Sequence, residues 1–297
     1  MRHVINRRNF LGLAGLGGLV YASGLAGWAA AHAQAEDFYF VQLSDAHWGF
    51  EGPPNPDARG TLPKAVAAVN SLQPSPDFIV FTGDLTPTTD DPAERRRRLG
   101  EFKGIIGGLH VRDVHFMPGE HDASLDHGAA FREFFGDTHY SFDYKGLHFI
   151  VLDNVSDPAG RIGDAQLAWL ATDLRNTARD VPIVVFTHRP LFDLYPQWDW
   201  TTRDGAAAID LLMPRANVTV FYGHIHQENH HMTGHIAHHA ARSLIYPLPA
   251  PGSQPKRTPV PWDAAHPYRG LGFREVDAQD PRGGFQLHEF PVQRGAS

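Results

Sequence analysis

Residues 38–47 read FYFVQLSDAH. Six largely apolar, aromatic and β-branched residues fit a buried strand, and the strand is followed at once by Asp45 and His47. The same layout recurs along the chain. FIVF runs into Thr82-Gly83-Asp84, and VHFM into Pro118-Gly119-Glu120-His121-Asp122. PIVVF runs into Thr187-His188, and VTVFY into Gly223-His224-Ile225-His226. Five strands therefore end in Asp, Glu or His. Open α/β sheets build their sites at the carboxyl ends of strands, and glycine there lets backbone approach a ligand closely. Residues spread over some 180 positions are thus expected to converge.

Between these strands lie helical patterns. TLPKAVAAVNSL places Leu62, Val66, Val69 and Leu72 on one face, and a helix around 92–109 carries Leu99, Phe102, Ile106 and Leu109. DAQLAWLATDL (164–174) reads as a helix with Asp164 as N-cap, and another helix is expected near 203–213. HYSFDY and LHFIVLD form a hairpin around Lys145-Gly146. Beyond 230 the chain turns to short strands and Pro-rich loops ending in GFQLHEFPV. Alternating strands and helices plus a hairpin predict an α/β fold with mixed sheets.

The first 35 residues are set apart. NRRNFL (6–11), a Gly/Ala/Leu-rich run and A-x-A sites at 31–33 and 33–35 read as a twin-arginine signal peptide, 1–35, leaving 36–297 as a single domain. That predicts a periplasmic protein that engages the twin-arginine translocation machinery and has no stable membrane anchor. An N-terminal anchor is the alternative, since the run is about long enough to span. The formal charge of −7 becomes −10 without Arg2, Arg7 and Arg8, which argues against a nucleic-acid or anionic-membrane surface. Cysteine is absent, so packing alone must hold the exported fold. The Arg95–Arg98 run reads as a solvated helix face paired to Glu94 and Glu101 rather than a phosphate site.

Two carboxylates with four or five histidines exceed the needs of one metal ion and suit two ions sharing a bridging carboxylate. The order D-x-H, G-D, G-E-H-D, H, G-H-x-H resembles the signature of the calcineurin-like metallophosphoesterases over about residues 37–245. The resemblance implies a four-layer α/β/β/α sandwich and a two-metal phosphoester hydrolase acting through a metal-bridging hydroxide. It implies that Asp45, His47 and His226 hold one metal, that Asp84 bridges, and that His188, His224 and position 120 hold the other. The metals would be Fe, Mn or Zn. His121 would assist the leaving group and Asp122 would orient it; a turn-stabilising Asp122 is the alternative. The family's G-N-H-D is G-E-H-D here. A ligating Glu120 would lower the net charge of two divalent ions and their carboxylates to about +1.

The compact chain leans toward small phosphodiesters as substrates. A phosphomonoesterase or protein phosphatase, or a non-catalytic periplasmic metal-binding module, are the alternatives. His230, His231, His235, His238 and His239 read as exposed residues beside the site mouth or as extra metal or substrate contacts. Tyr268 or Arg269 could reach substrate, and Trp198 and Trp200 could form a lid or cover the core.

Overall fold

The central strands expected from apolar runs are buried along their whole length, and the aromatic residues decide how the strands stack. The computed structural model describes residues 21–22, 37–280 and 284–292. The strands are β1 (Tyr21–Ala22), β2 (Tyr39–Leu43), β3 (Phe78–Thr82), β4 (Val114–Met117), β5 (Tyr140–Tyr144) and β6 (Leu147–Val151). They continue with β7 (Ile183–Phe186), β8 (Val218–Tyr222), β9 (Asn229–Thr233), β10 (Ile236–Ala240), β11 (Gly272–Asp280) and β12 (Gly284–Pro291). The helices are α1 (Ala58–Asn70), α2 (Pro92–Ile106), α3 (Glu120–Ala123), α4 (Ala129–Phe135), α5 (Asp164–Asn176) and α6 (Gly205–Leu212).

The strands form two six-stranded sheets, ordered β1-β12-β11-β2-β3-β4 and β5-β6-β7-β8-β10-β9. Within the first, β2, β3 and β4 are parallel, β11 runs antiparallel to β2, and β12 antiparallel to β11. Within the second, β6, β7, β8 and β10 are parallel, with antiparallel β5 and β9 at the edges. Phe40 and Phe78 of the first sheet stack at 4.8 Å, and Phe40 meets Phe221 of the second edge-on at 5.6 Å. Phe149, Val184 and Phe186 complete this inner layer. Each fully buried phenylalanine contributes about 1.5–3 kcal/mol. On the outer face of the first sheet, Leu62, Val66 and Val69 of α1, Phe102 of α2 and Phe131 of α4 pack on Val41, Ile79 and Phe81. On the outer face of the second, Leu170 of α5 and Ile209 and Leu212 of α6 pack on Ile150 and Val185. The result is an α/β/β/α sandwich. The parallel strands of both sheets deliver their carboxyl ends to the donor cluster described below.

A local signal explains the start of α2. Asp91 caps α2 by accepting from the Ala93 N–H at 2.9 Å, with Pro92 in the first turn. Asp164 is not the cap of α5: Gly163 occupies that position, and Asp204 accepts from the Ile162 and Gly163 N–H groups at 2.8 Å each. The arginine run on α2 is paired throughout, but it is not wholly solvated. Arg95 is buried and bonds Asp126 and the Thr89 carbonyl, while Arg96 pairs with Glu133, Arg97 with Glu94 and Glu101, and Arg98 with Glu94. The segment read as an export signal lies outside the described residues, apart from Tyr21–Ala22, which pair with Gln286 and Leu287 of β12. Among the described residues no helix is long and apolar enough to cross a membrane.

Candidate metal centre

The turns after β2, β3, β4, β7 and β8 meet at one end of the sandwich. The first two are zipped together by backbone bonds: Asp45 N–H to the Gly83 carbonyl (3.0 Å) and His47 N–H to that of Asp84 (2.9 Å). The two sheets are then tied across, because the His224 N–H donates to both carboxylate oxygens of Asp45 at 3.1–3.2 Å. These turns are sharp. Asp45, His47, Asp84, His224 and His226 all adopt left-handed backbone, with φ between 42° and 66°. Gly119 has no such φ but must be glycine for space, since a Cβ there would collide with the Asp84 carboxylate and backbone.

Seven side chains group into two donor sets that share Asp84. Asp45, His47, Asp84 and His226 form one, and Asp84, Glu120, His188 and His224 form the other; within each set the donor atoms lie within 4.8 Å of one another. In the first set His47 Nε2 and His226 Nε2 are 3.4 Å apart, and His226 Nε2 is 3.3 Å from Asp45 Oδ1. In the second, His188 Nε2 is 2.9 Å from Glu120 Oε2, and His224 Nδ1 is 3.0 Å from Glu120 Oε1. Asp84 Oδ2 faces both, 3.5 Å from His47 Nε2 and 3.3 Å from His188 Nε2. Ligands bound at about 2.1 Å around a common cation are roughly 3.0–3.4 Å apart, close to the 2.9–3.5 Å between these donors.

Three further observations show that these residues fit metal ions. First, His188 Nε2, His224 Nδ1 and Glu120 Oε2 are buried and have no aligned hydrogen-bond partner despite their closeness. Second, the outer nitrogens of three histidines each face a backbone carbonyl: His188 Nδ1 to Thr82 (2.6 Å), His224 Nε2 to Asp199 (3.0 Å) and His226 Nδ1 to Tyr246 (2.8 Å). A carbonyl only accepts, so the outer nitrogen carries a proton and the inner nitrogen is the one turned toward the donor set. Third, the carboxylates of Asp84 and Glu120 favour positive charge beside them. Burial works against a charged His188, but Asp84 and Glu120 outweigh it and hold its pKa well above the histidine range. Burial pushes His47 down to about 3 despite Asp84, leaving a neutral ring. Burial and Glu120 raise the Asp84 carboxyl, yet His188 and His121 bring it below its ordinary value.

His121 stands at the rim. Its Nε2 is 3.8 Å from Asp84 Oδ2 and 3.9 Å from Glu120 Oε1. The Thr88 N–H donates to Nδ1 at 3.2 Å, and the Thr88 hydroxyl lies 2.5 Å from the same atom. In the neutral ring Nδ1 therefore carries no proton, and the ring proton lies on Nε2, on the side of the donor sets; burial lowers the ring's pKa, but Asp84, Glu120 and Asp122 outweigh it and raise it. Asp122 does not orient His121, which corrects the expectation from sequence. Its carboxylate is buried and accepts from the Gly119, Leu85 and Thr86 N–H groups at 2.9–3.0 Å and from the Thr86 hydroxyl. Burial and nearby Asp84 push it up to about 7 against those donors. Asp122 is the clasp between the Asp84 and Glu120 turns.

Two more residues belong to the site. Asn154, after β6, accepts from the His188 and Arg189 N–H groups (3.3 Å each) and donates to the Arg189 carbonyl (2.9 Å), so it holds the His188 turn. It follows a strand, as the other site residues do, and that position was its signal. Tyr246 stacks beside His47 (centroids 6.1 Å) and is met edge-on by Phe50 (5.3 Å). Burial and the nearby carboxylates of Asp84 and Asp45 push its hydroxyl up to about 12, so it stays a donor. Nothing in its loop sequence marks it.

The late histidines take other places. His238 and His239 are buried in β10, not exposed as expected, and His230 Nδ1 lies 2.8 Å from His239 Nδ1. His231 stacks on Phe192, and His235 Nε2 bonds the Arg215 carbonyl. Tyr268 donates to Asp57. Trp198 and Trp200 are buried against Tyr222 and Ile225, so they cover the core, while Asp199 between them reaches the site through its carbonyl.

Known proteins share this arrangement of sequence. A serine/threonine-protein phosphatase, CPPED1, of Danio rerio is 30% identical over 218 residues, 64% of this chain and 70% of the relative. A probable cyclic nucleotide phosphodiesterase of Rhodopseudomonas palustris is 26% identical over 252 residues, 76% of this chain and 86% of the relative. Among solved structures, a purple acid phosphatase from yellow lupin (Lupinus luteus) seeds shares the fold, with a TM-score of 0.64 at 14% identity over 87% of this chain and 52% of that one. A dimetal phosphatase from Danio rerio superposes with a TM-score of 0.57 at 14% identity, over 86% of this chain and 98% of that one. The profile described as Calcineurin-like phosphoesterase matches residues 38–228, and with its motifs seated at the strand ends the chain belongs to that family.

Proposed function

We propose that this metallophosphoesterase hydrolyses small phosphodiesters with one metal ion in each donor set, and that His121 supplies the leaving group's proton. The observation that carries the reading is the single oxygen, Asp84 Oδ2, facing both sets with His121 Nε2 at their rim. Two cations there would supply Lewis acidity toward phosphoryl oxygens and would lower the pKa of water. The chain's own residues do the rest. Thr88 fixes the His121 ring with its proton on Nε2, positioned for an alkoxide leaving group. Asp122 holds the two turns that present Asp84 and Glu120. The nitrogen and carboxylate donors, without a thiolate, suit Zn, Fe or Mn.

Two things support a diester. Tyr246 and Phe50 form an aromatic wall beside His47, suited to a second ester substituent. The relative of R. palustris, which matches over more of the chain, is named a probable cyclic nucleotide phosphodiesterase. The monoesterase reading has its own support in the relative named a serine/threonine-protein phosphatase. Hydrolysis of bis-p-nitrophenyl phosphate against p-nitrophenyl phosphate, with Mn, Fe or Zn added, separates the two. Cleavage of the diester is expected; cleavage of the monoester alone overturns the lean. A metal-loaded protein that turns over nothing in a broad phosphoester panel is instead a metal-binding module.

The proposal includes a mature chain of residues 36–297 delivered to the periplasm by the twin-arginine route, supported by NRRNFL at 6–11. Replacing Arg7 and Arg8 by lysine should hold the protein in the cytoplasmic fraction. Unchanged fractionation would remove this part of the proposal.

A further inference from the structure

The donor sets contain three carboxylates, Asp45, Asp84 and Glu120, which two divalent ions, one per set, would face. That leaves a net charge of about +1, a weak attraction for an anionic ester. A fourth charged group lies against the centre. Arg189 follows His188, and its side chain is 9% exposed. Its Nε is buried without an aligned acceptor and faces Glu120 Oε2 at 3.8 Å. Its Nη2 holds Asp199 Oδ2 at 2.7 Å, and the Asp199 side chain is 60% exposed. Asn154 fixes its backbone on both sides. The guanidinium has little room to leave, because Gly160 closes over it: a Cβ on Gly160 would lie 2.7 Å from Nη1. A buried cation held beside a ligand carboxylate acts on that ligand far more strongly than it would in water.

We propose that Arg189 is a positioning residue whose charge offsets the third carboxylate, Glu120. It thereby loosens the second donor set's grip on its metal and strengthens the centre's grip on a phosphate group. This rests on the reading that the second set holds a metal ion. Asp199, on the outer face of Arg189, draws the guanidinium the other way and tempers the effect. The two consequences run in opposite directions, which separates this role from a packing role.

The test is calorimetric titration of the full chain with Mn(II), then of the Mn-loaded protein with inorganic phosphate. For Arg189→Gln we expect the weaker Mn(II) to bind about tenfold tighter and phosphate about tenfold more weakly. Arg189→Lys should return both toward wild type. In a Glu120→Gln background both shifts should shrink to less than about twofold, because the carboxylate that Arg189 offsets is gone. Asp199→Asn alters an exposed side chain and tests the same idea if Arg189→Gln does not fold. It should weaken the second Mn(II) and tighten phosphate, each by a few fold. Weakening of both ligands together by Arg189→Gln, or equal shifts in both backgrounds, overturns the proposal. A wild-type chain that takes up one Mn(II) overturns the two-metal reading itself, before any variant is compared.

Discussion

At His121 the chemistry depends on which ring nitrogen holds the proton. Thr88 settles it by donating its N–H to Nδ1, which leaves Nε2–H beside Asp84 and Glu120. Replacement of His121 by Asn should lower kcat on a diester by about 10²–10³ while metal content stays at the wild-type level, because the group assists proton transfer without ligating. Thr88→Ala should cost about tenfold in kcat with KM nearly unchanged, since it frees the ring to rotate without removing it. Steady-state kinetics with metal analysis checks both. The ligand histidines behave differently. Their outer nitrogens are committed to the carbonyls of Thr82, Asp199 and Tyr246, so each ring is aimed before any cation arrives.

Turns carry the site, and the glycines in them set its tolerance. A methyl group on Gly119 would collide with Asp84, the residue common to both donor sets. Gly119→Ala should therefore purify with less than half the wild-type metal, read by elemental analysis, even if the sheets still form. At the opposite end of the strands, Asp77 joins the layers through the Tyr39 N–H, the Tyr144 hydroxyl and Lys145. Burial raises its carboxyl, but Lys145 and the two other donors outweigh that and hold it below the aspartate range. Stability from a depressed carboxyl is present above about pH 4 and is lost as pH falls through the folded value. The melting temperature of Asp77→Asn should consequently fall less steeply than wild type between about pH 5 and pH 2, measured by thermal melts. Elements with periodic apolar faces, such as α1 and α5, were legible in the sequence, and so were the five strand ends. The rest was hidden for stated reasons. α4 is seven residues with a left-handed Gly128 at its start and no side-chain cap, so neither length nor cap announces it. β11 reads GFREVDAQD, yet it is a buried strand, because Arg274 is paired with Glu289 across the sheet. No local pattern reveals a charge that is neutralised 15 residues away.

For the whole molecule, the donor sets join two halves of the sandwich. Asp45, His47, Asp84 and Glu120 follow strands of one sheet, and His188, His224 and His226 follow strands of the other. A cation bound there would hold the sheets together at one end. Metal bound a thousandfold above its Kd stabilises by about 4 kcal/mol. Chelator should accordingly lower the melting temperature by several degrees in a calorimetric scan; an unchanged transition would mean the native fold binds no metal tightly. Left-handed backbone at five of the seven donors has a further consequence. Each such residue costs on the order of 1 kcal/mol relative to an ordinary conformation, and what keeps it there is the surrounding structure. The metal-free chain is thus locally frustrated at the place where the loaded chain is most firmly tied. Substitutions that let these turns relax would make the empty protein hardier and the working one poorer. Selection for thermal stability alone, applied in the absence of metal, would drift away from the phosphoesterase while keeping the sandwich intact.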